Sequence, residues 1–156
     1  MQQFATFYIG ENLFGLDVLL VREINRNLDF TFVDRSSEYV VGLLNLRGQI
    51  VTVLDLGVRL GLGKRNITEG SRCVVLKTNA ELPDVQKENG SRSTTADEIV
   101  GLLVDRIGDM VVIDEKEIEA PPANVGAVDG KFLSGVVKME NSLLVLLKTK
   151  EMLAIT

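Results

Sequence analysis

The chain has 156 residues, 46% of them hydrophobic, with 17 Lys and Arg against 22 Asp and Glu and no His. Its 20 Val, 22 Leu and 9 Ile can build a sizeable core, and a net charge of −5 without a basic stripe speaks against nucleic acid as the main partner. Without imidazole there is no His-ligated zinc and the commonest general base is missing, so no metal and no cofactor are expected.

Residues 4–9 and 13–16 are short β-rich runs parted by Gly10-Glu11-Asn12, which predicts a hairpin. Asp17 is placed to cap one helical turn over 18–20, and 21–26 returns to alternation. Ser36 or Ser37 is placed to cap a turn at Glu38-Tyr39. The plainest hairpin follows: 40–46 and 49–55 flank Arg47-Gly48, where Gly48 can take the positive φ of a tight turn. Residues 56–62, closing on Gly61 and Gly63, predict one or two helical turns. Strands are predicted over 72–77, 99–104 and 109–113. Between the first two, residues 79–98 are rich in Ser, Thr, Asn, Asp and Glu and predict a mobile loop.

Residues 42–54 align without gaps on 135–147, with Asn141 where Gly48 stands. Each copy reads as strand, tight turn and strand, followed by a short helical tail at 56–62 or 148–154. The pattern is all-β and predicts two small β-barrels packed together, with a single β-sandwich as the alternative.

Catalytic constellations fail one by one. Cys73 lies in the apolar run Cys73-Val74-Val75-Leu76 and reads as a buried, inert thiol; with no second cysteine, a reducing cytoplasm is expected. The N-terminus has neither a basic nor an apolar signal region, and no apolar stretch approaches the roughly 20 residues that cross a bilayer. The sequons at Asn66 and Asn89 are therefore accidental. Gly61-Leu62-Gly63-Lys64 lacks the first glycine of a phosphate loop and has Arg65 in place of Ser or Thr. Asp105 and Asp109 read as the polar rim of a turn, and Asp114 to Glu119 as a solvated acidic turn before Pro121-Pro122. No serine sits in a nucleophile elbow, so an enzyme is not expected. What remains is surface for protein recognition. Arg47 at the hairpin tip could pair with a partner's carboxylate, and Val21 with Glu23 could line a groove for an amphipathic helix. An ordinary turn arginine and edge-strand alternation are the plainer readings.

The segments Val21-Arg22-Glu23-Ile24, Gly42 through Asn45-Leu46-Arg47-Gly48 to Asp55-Leu56, Gly101-Leu102-Leu103-Val104-Asp105, and Leu133-Ser134-Gly135 to Leu153 span nearly the whole chain in order. Together they resemble the bacterial chemotaxis coupling protein family, CheW. The resemblance implies one domain over 1–156, built as two five-stranded SH3-like β-barrels with short helical turns and a short C-terminal helix. It also implies a non-catalytic adaptor coupling chemoreceptors (methyl-accepting chemotaxis proteins) to the histidine kinase CheA, with a related chemosensory output such as type IV pilus motility as the alternative. Carried over by position, Val21, Glu23, Gly42 and Arg47 lie at or near the groove that receives the receptor's cytoplasmic tip, and Arg72 and Met110 match further coupling positions. Contact with the kinase's regulatory domain is implied at apolar barrel-end surface, without assigned residues. No nucleic acid and no direct membrane insertion are implied; the expected place is the cytoplasm, recruited to membrane-associated receptor arrays, as a stand-alone adaptor. The loop 79–98 is longer than the family suggests, and Lys148 stands where the family often has an acidic residue before the last helix.

Overall fold

The computed structural model describes residues 1–32, 38–82 and 95–154. β1 (Gln2–Ile9) and β2 (Asn12–Asp17) form the expected hairpin, pairing Phe7 with Phe14, and Asp17 caps the 3-10 turn Val18–Leu20 by accepting from Leu19 N at 2.9 Å. The chain then builds a five-stranded sheet from β3 (Val21–Asn25), β4 (Val40–Leu46), β5 (Gln49–Asp55), β6 (Arg72–Leu76) and β7 (Val100–Val104), in the order β3-β6-β7-β5-β4. It returns to β1 with β8 (Arg106–Ile107) and β9 (Val111–Ile113), forms a small hairpin of β10 (Asn124–Val125) and β11 (Val128–Asp129), and closes with β12 (Leu133–Lys138) and β13 (Leu143–Leu147).

The first sheet therefore has six strands, in the order β12-β13-β2-β1-β8 with β9 also on β1, where five were expected. The extra strand is a break. Gly108 N donates to Thr6 O at 2.9 Å and Thr6 Oγ1 donates to Asp109 O, so the segment opposite β1 is pinched off between Ile107 and Val111. For the same reason the strand expected from Asp109 starts at Val111.

Two isolated bridges curl the sheets into barrels. Chain beyond β3 pairs Thr31 with Leu43 on β4, and chain beyond β9 pairs Glu119 with Val136 on β12. At each closure a glycine admits the approaching backbone: a Cβ on Gly42 would lie 2.6 Å from Thr31 O, and one on Gly135 would lie 2.9 Å from Glu119 O. The internal repeat is thus structural down to its irregularities. Gly42 pairs with Val53 and Gly135 with Leu146, each just after a bulge, and Val53 and Leu146 lie parallel to Gly101 and Gly15. Read as β8/β9-β12-β13-β1-β2, the first barrel matches β3-β4-β5-β6-β7, so one barrel is a circular permutation of the other.

Both faces of each sheet are covered, and this explains runs such as Phe4 to Phe7, buried at every position. One face fills its own barrel, with Leu44, Val51, Cys73 and Val75 in the second and Phe4, Leu13, Val137 and Leu144 in the first. The other face packs barrel on barrel through Phe7, Phe14, Leu54, Leu76, Leu102 and Val145. Each such side chain contributes roughly 1.5–3 kcal/mol when fully buried.

Helices are short. α1 (Leu56–Arg59) is capped by Asp55, whose Oδ1 accepts from Val58 N at 3.1 Å, and the chain leaves it through Gly61 at φ 81°. α2 (Thr149–Leu153) occupies the equivalent place after β13, but Lys148 makes no side-chain cap. The predicted loop 79–98 has hydrogen-bonded ends. Residues Asn79–Glu81 form a 3-10 turn, Asn79 N donates to Ala96 O at 2.9 Å, and Thr95 Oγ1 donates to Lys77 O at 2.6 Å. Residues 83–94, with the Asn89 sequon, and the cap candidates Ser36 and Ser37 lie outside the described residues.

Candidate functional site

The tip of the β4–β5 hairpin carries two successive residues in the left-handed region, Arg47 at φ 52° and Gly48 at φ 84°, the pattern of a two-residue turn matched to strand twist. Glycine at Gly48 was legible in the sequence; Arg47 in the same region was not, because a long L side chain there costs roughly 1–2 kcal/mol. Asn45 steadies the turn, its Oδ1 accepting from Gly48 N at 3.0 Å.

That backbone aims Arg47 across the barrel. Its Nη2 donates to both carboxylate oxygens of Glu23, at 2.9 and 2.7 Å, and its side chain stays 69% exposed. Next to Glu23, where the register shifts between Val21 and Glu23, Arg22 donates to Gln49 Oε1 at 3.2 Å and to the carboxylate of Glu81. The hydrogen bond from Arg22 holds the Glu81 carboxyl below the usual carboxylate range, helped by Thr78, whose N and Oγ1 donate to Glu81 Oε1. Alternating charges therefore line one end of the second barrel, flanked by exposed Ile24 and Ile50.

Val21 opens β3 and packs partly against the inter-barrel core. Just before it, Leu19 borders an open cleft of about 470 Å³ on the first barrel, lined also by Met1, Gln2, Asp17 and Val112. Met110 is exposed two residues before Val112. Val21, Glu23 and Arg47 thus share one end of the second barrel, and Met110 lies on the first barrel, outside the cleft lining but two residues before Val112, which lines it. Gly42 is elsewhere in kind: it is buried and serves the closure under Thr31. Arg72 begins β6, at the opposite end from Leu76, which faces Val21, and its Nη1 donates to Glu69 O and Ser71 O at 2.8 and 2.7 Å. Sequence reasoning missed Arg22, Glu81, Leu19 and Val112. An apolar Leu19 in the middle of the single turn that Asp17 caps was the one available signal.

Cys73 is fully buried, and burial, with the Glu23 charge adding to it, pushes its thiol up to about 12. Among the described residues no helix is long and apolar enough to cross a membrane.

Compared with known proteins, residues 3–155 match the family model of the CheW-like domain. A relative named chemotaxis protein CheW from Treponema pallidum is 26% identical over 147 residues, covering 93% of this chain and 78% of the relative. The protein of the same name from Bacillus subtilis is 27% identical over 143 residues, covering 92% and 81%. The crystal structure of the scaffolding protein TtCheW from Thermoanaerobacter tengcongensis superposes with a TM-score of 0.80 at 28% identity, covering 99% of this chain and 89% of that one. The permuted pair of SH3-like barrels, matched end to end in sequence and in shape, makes this chain a member of the CheW-like family, a scaffold of chemotaxis.

Proposed function

We propose that this protein couples the cytoplasmic tips of methyl-accepting chemoreceptors to the regulatory domain of CheA, acting by binding alone and without catalysis. It would do so in the cytoplasm, recruited to membrane-associated receptor arrays. The observation that carries this reading is the pairing of Glu23 with Arg47 at an exposed barrel end, one strand start away from the cleft where Met1, Leu19 and Val112 stand beside Gln2 and Asp17. A helical hairpin tip offers apolar residues and charges at fixed spacing, which such a surface can read through apolar anchors and a charge register. In this reading Val21 and Met110 supply apolar contact, and Glu23 and Arg47 supply register. Gly42 acts indirectly by keeping the barrel closed beneath the hairpin, and Arg72 enters by family resemblance alone, from the far end of β6.

Arg47 uses one nitrogen on Glu23 and keeps other donors of its planar fork free for a partner's carboxylate or carbonyls. Titration of the protein against a receptor cytoplasmic tip, and separately against a CheA regulatory domain, tests the proposal with wild type and Arg47→Glu. The expected result is binding of both partners by wild type and loss of about tenfold in receptor affinity in the variant, with kinase affinity retained. Equal receptor affinity for the two proteins would remove Arg47 from the site.

A further inference from the structure

The chain passes between the barrels at two places: from Leu20 into Val21, and at Asp105, the single residue between β7 of the second barrel and β8 of the first. Two bodies joined at two points can still rock about the line through them. The apolar layer between them resists separation but is non-directional, so it fixes the angle poorly. Directional contacts must do that.

One set of them converges on Asp105. Its Oδ2 accepts from Gly10 N, in the β1–β2 turn of the first barrel, at 2.6 Å. Its two oxygens accept from Arg65 Nε and Nη2, in the second barrel's loop after α1, at 3.1 and 2.9 Å. Arg65 is itself anchored, its N donating to Asp55 Oδ2 at 2.9 Å and its Nη1 to Leu62 O at 3.2 Å. Gly57 leaves the passage for its side chain, since a Cβ there would overlap Arg65. Among the described residues Arg65 with Asp105 is the one salt bridge that joins the barrels. A second arginine works beside it: Arg59 of α1 lies 4.8 Å from the ring centres of Tyr39 and Phe132 and donates to the carbonyls of Glu151, Met152 and Ala154 around the end of α2.

We propose that Asp105 is a lock on the angle between the two barrels, engaged by Arg65 from one barrel and by the Gly10 turn from the other. The lock lies at the Gly10 end of β1, opposite the cleft at Met1 and Leu19, so it sets the geometry of a surface it does not touch. This inference concerns the isolated protein and does not depend on the proposed partners.

The test is a pair of spin labels on cysteines introduced at Arg26 in the second barrel and Glu140 in the first, both exposed, with the buried Cys73 left unlabelled. Wild type is expected to give one narrow distance distribution. Arg65→Ala is expected to broaden it about twofold while amide protection in β5 and β13 shows both barrels folded. A folded Arg65→Ala with the wild-type distribution overturns the lock. Should that variant not fold, Arg65→Lys, which keeps the charge but loses the fork, is read in the same way: broadening supports the lock and an unchanged width overturns it.

Discussion

Glu23 stands on β3 and Arg47 in the turn that follows β4, at the two opposite edges of a five-stranded sheet, yet their side chains meet at 2.7 Å. The contact exists because the sheet has curled on itself, so the pair is a seam as well as a candidate recognition element. Exposed ion pairs contribute at most about 1 kcal/mol, whereas a non-glycine residue at φ 52° costs roughly that much or more. Arg47→Gly should therefore leave the stability unchanged or raise it by up to about 1 kcal/mol in urea unfolding, while weakening receptor binding. A stability loss beyond about 1 kcal/mol would show that the seam depends on the ion pair.

The closures behave differently. Gly42→Ala and Gly135→Ala place a Cβ against a backbone carbonyl that is itself paired in the closing bridge, at 2.6 and 2.9 Å. Each should cost about 2–3 kcal/mol, read as a drop in thermal midpoint, since the neighbour is backbone and cannot rotate away. Gly42 should cost at least as much as Gly135, having the closer contact.

The repeat also supplies its own control for helix capping. Asp55 caps α1, and Lys148, its counterpart before α2, caps nothing. Lys148→Asp should add about 1 kcal/mol of stability, measured by denaturant midpoint, by giving an orphan amide of the first turn an acceptor.

Thr149, the first residue of α2, is 1% exposed and its Oγ1 has no hydrogen-bond partner among the described residues. Thr149→Val keeps the shape and removes the buried, unpaired hydroxyl, and should stabilise the fold by about 1 kcal/mol. Destabilisation by a similar amount would reveal a partner for that oxygen.

Acid should loosen the lock. Burial pushes the Asp105 carboxyl up, but the hydrogen bonds from Arg65 and Gly10 N and the charges of Arg65 and Arg106 outweigh it and hold the group below the usual carboxylate range. A carboxyl depressed in the folded state contributes stability that is present above its unfolded pKa, about 4, and lost as pH falls through the folded value. Urea midpoints of wild type and Asp105→Asn should thus differ at pH 7 and converge as pH falls below about 4. A constant gap would contradict the linkage.

How much of this could be read from residues alone follows from range. The hairpin of β4 and β5, the Asp17 cap and the alignment of 42–54 on 135–147 are local features, set by turn chemistry and alternation, and they stand where expected. The pinch at Thr6 and Asp109 was illegible because it joins residues about a hundred positions apart. The split among candidate residues was hidden for the same reason. Arg72 and Val21 both belong to paired strands of one sheet, and only the register of β3 on β6 shows that they face opposite ends. Glu23 and Arg47 were each singled out as surface groups for a partner, but sequence could not show that they hold each other, since the barrel seam that joins them is a property of curvature.

The permuted arrangement of the barrels bears on biosynthesis. Residues 21–104 contain every strand of the second barrel, which can close as soon as that stretch is available. The first barrel begins with the N-terminal hairpin but needs β12 and β13, so its contacts span nearly the full chain and its loop-closure cost falls late. During synthesis the β1–β2 hairpin, buried on both faces in the finished fold, must wait until β12 and β13 have been made before its own barrel exists, and the earlier-formed barrel offers it an apolar surface on which to wait.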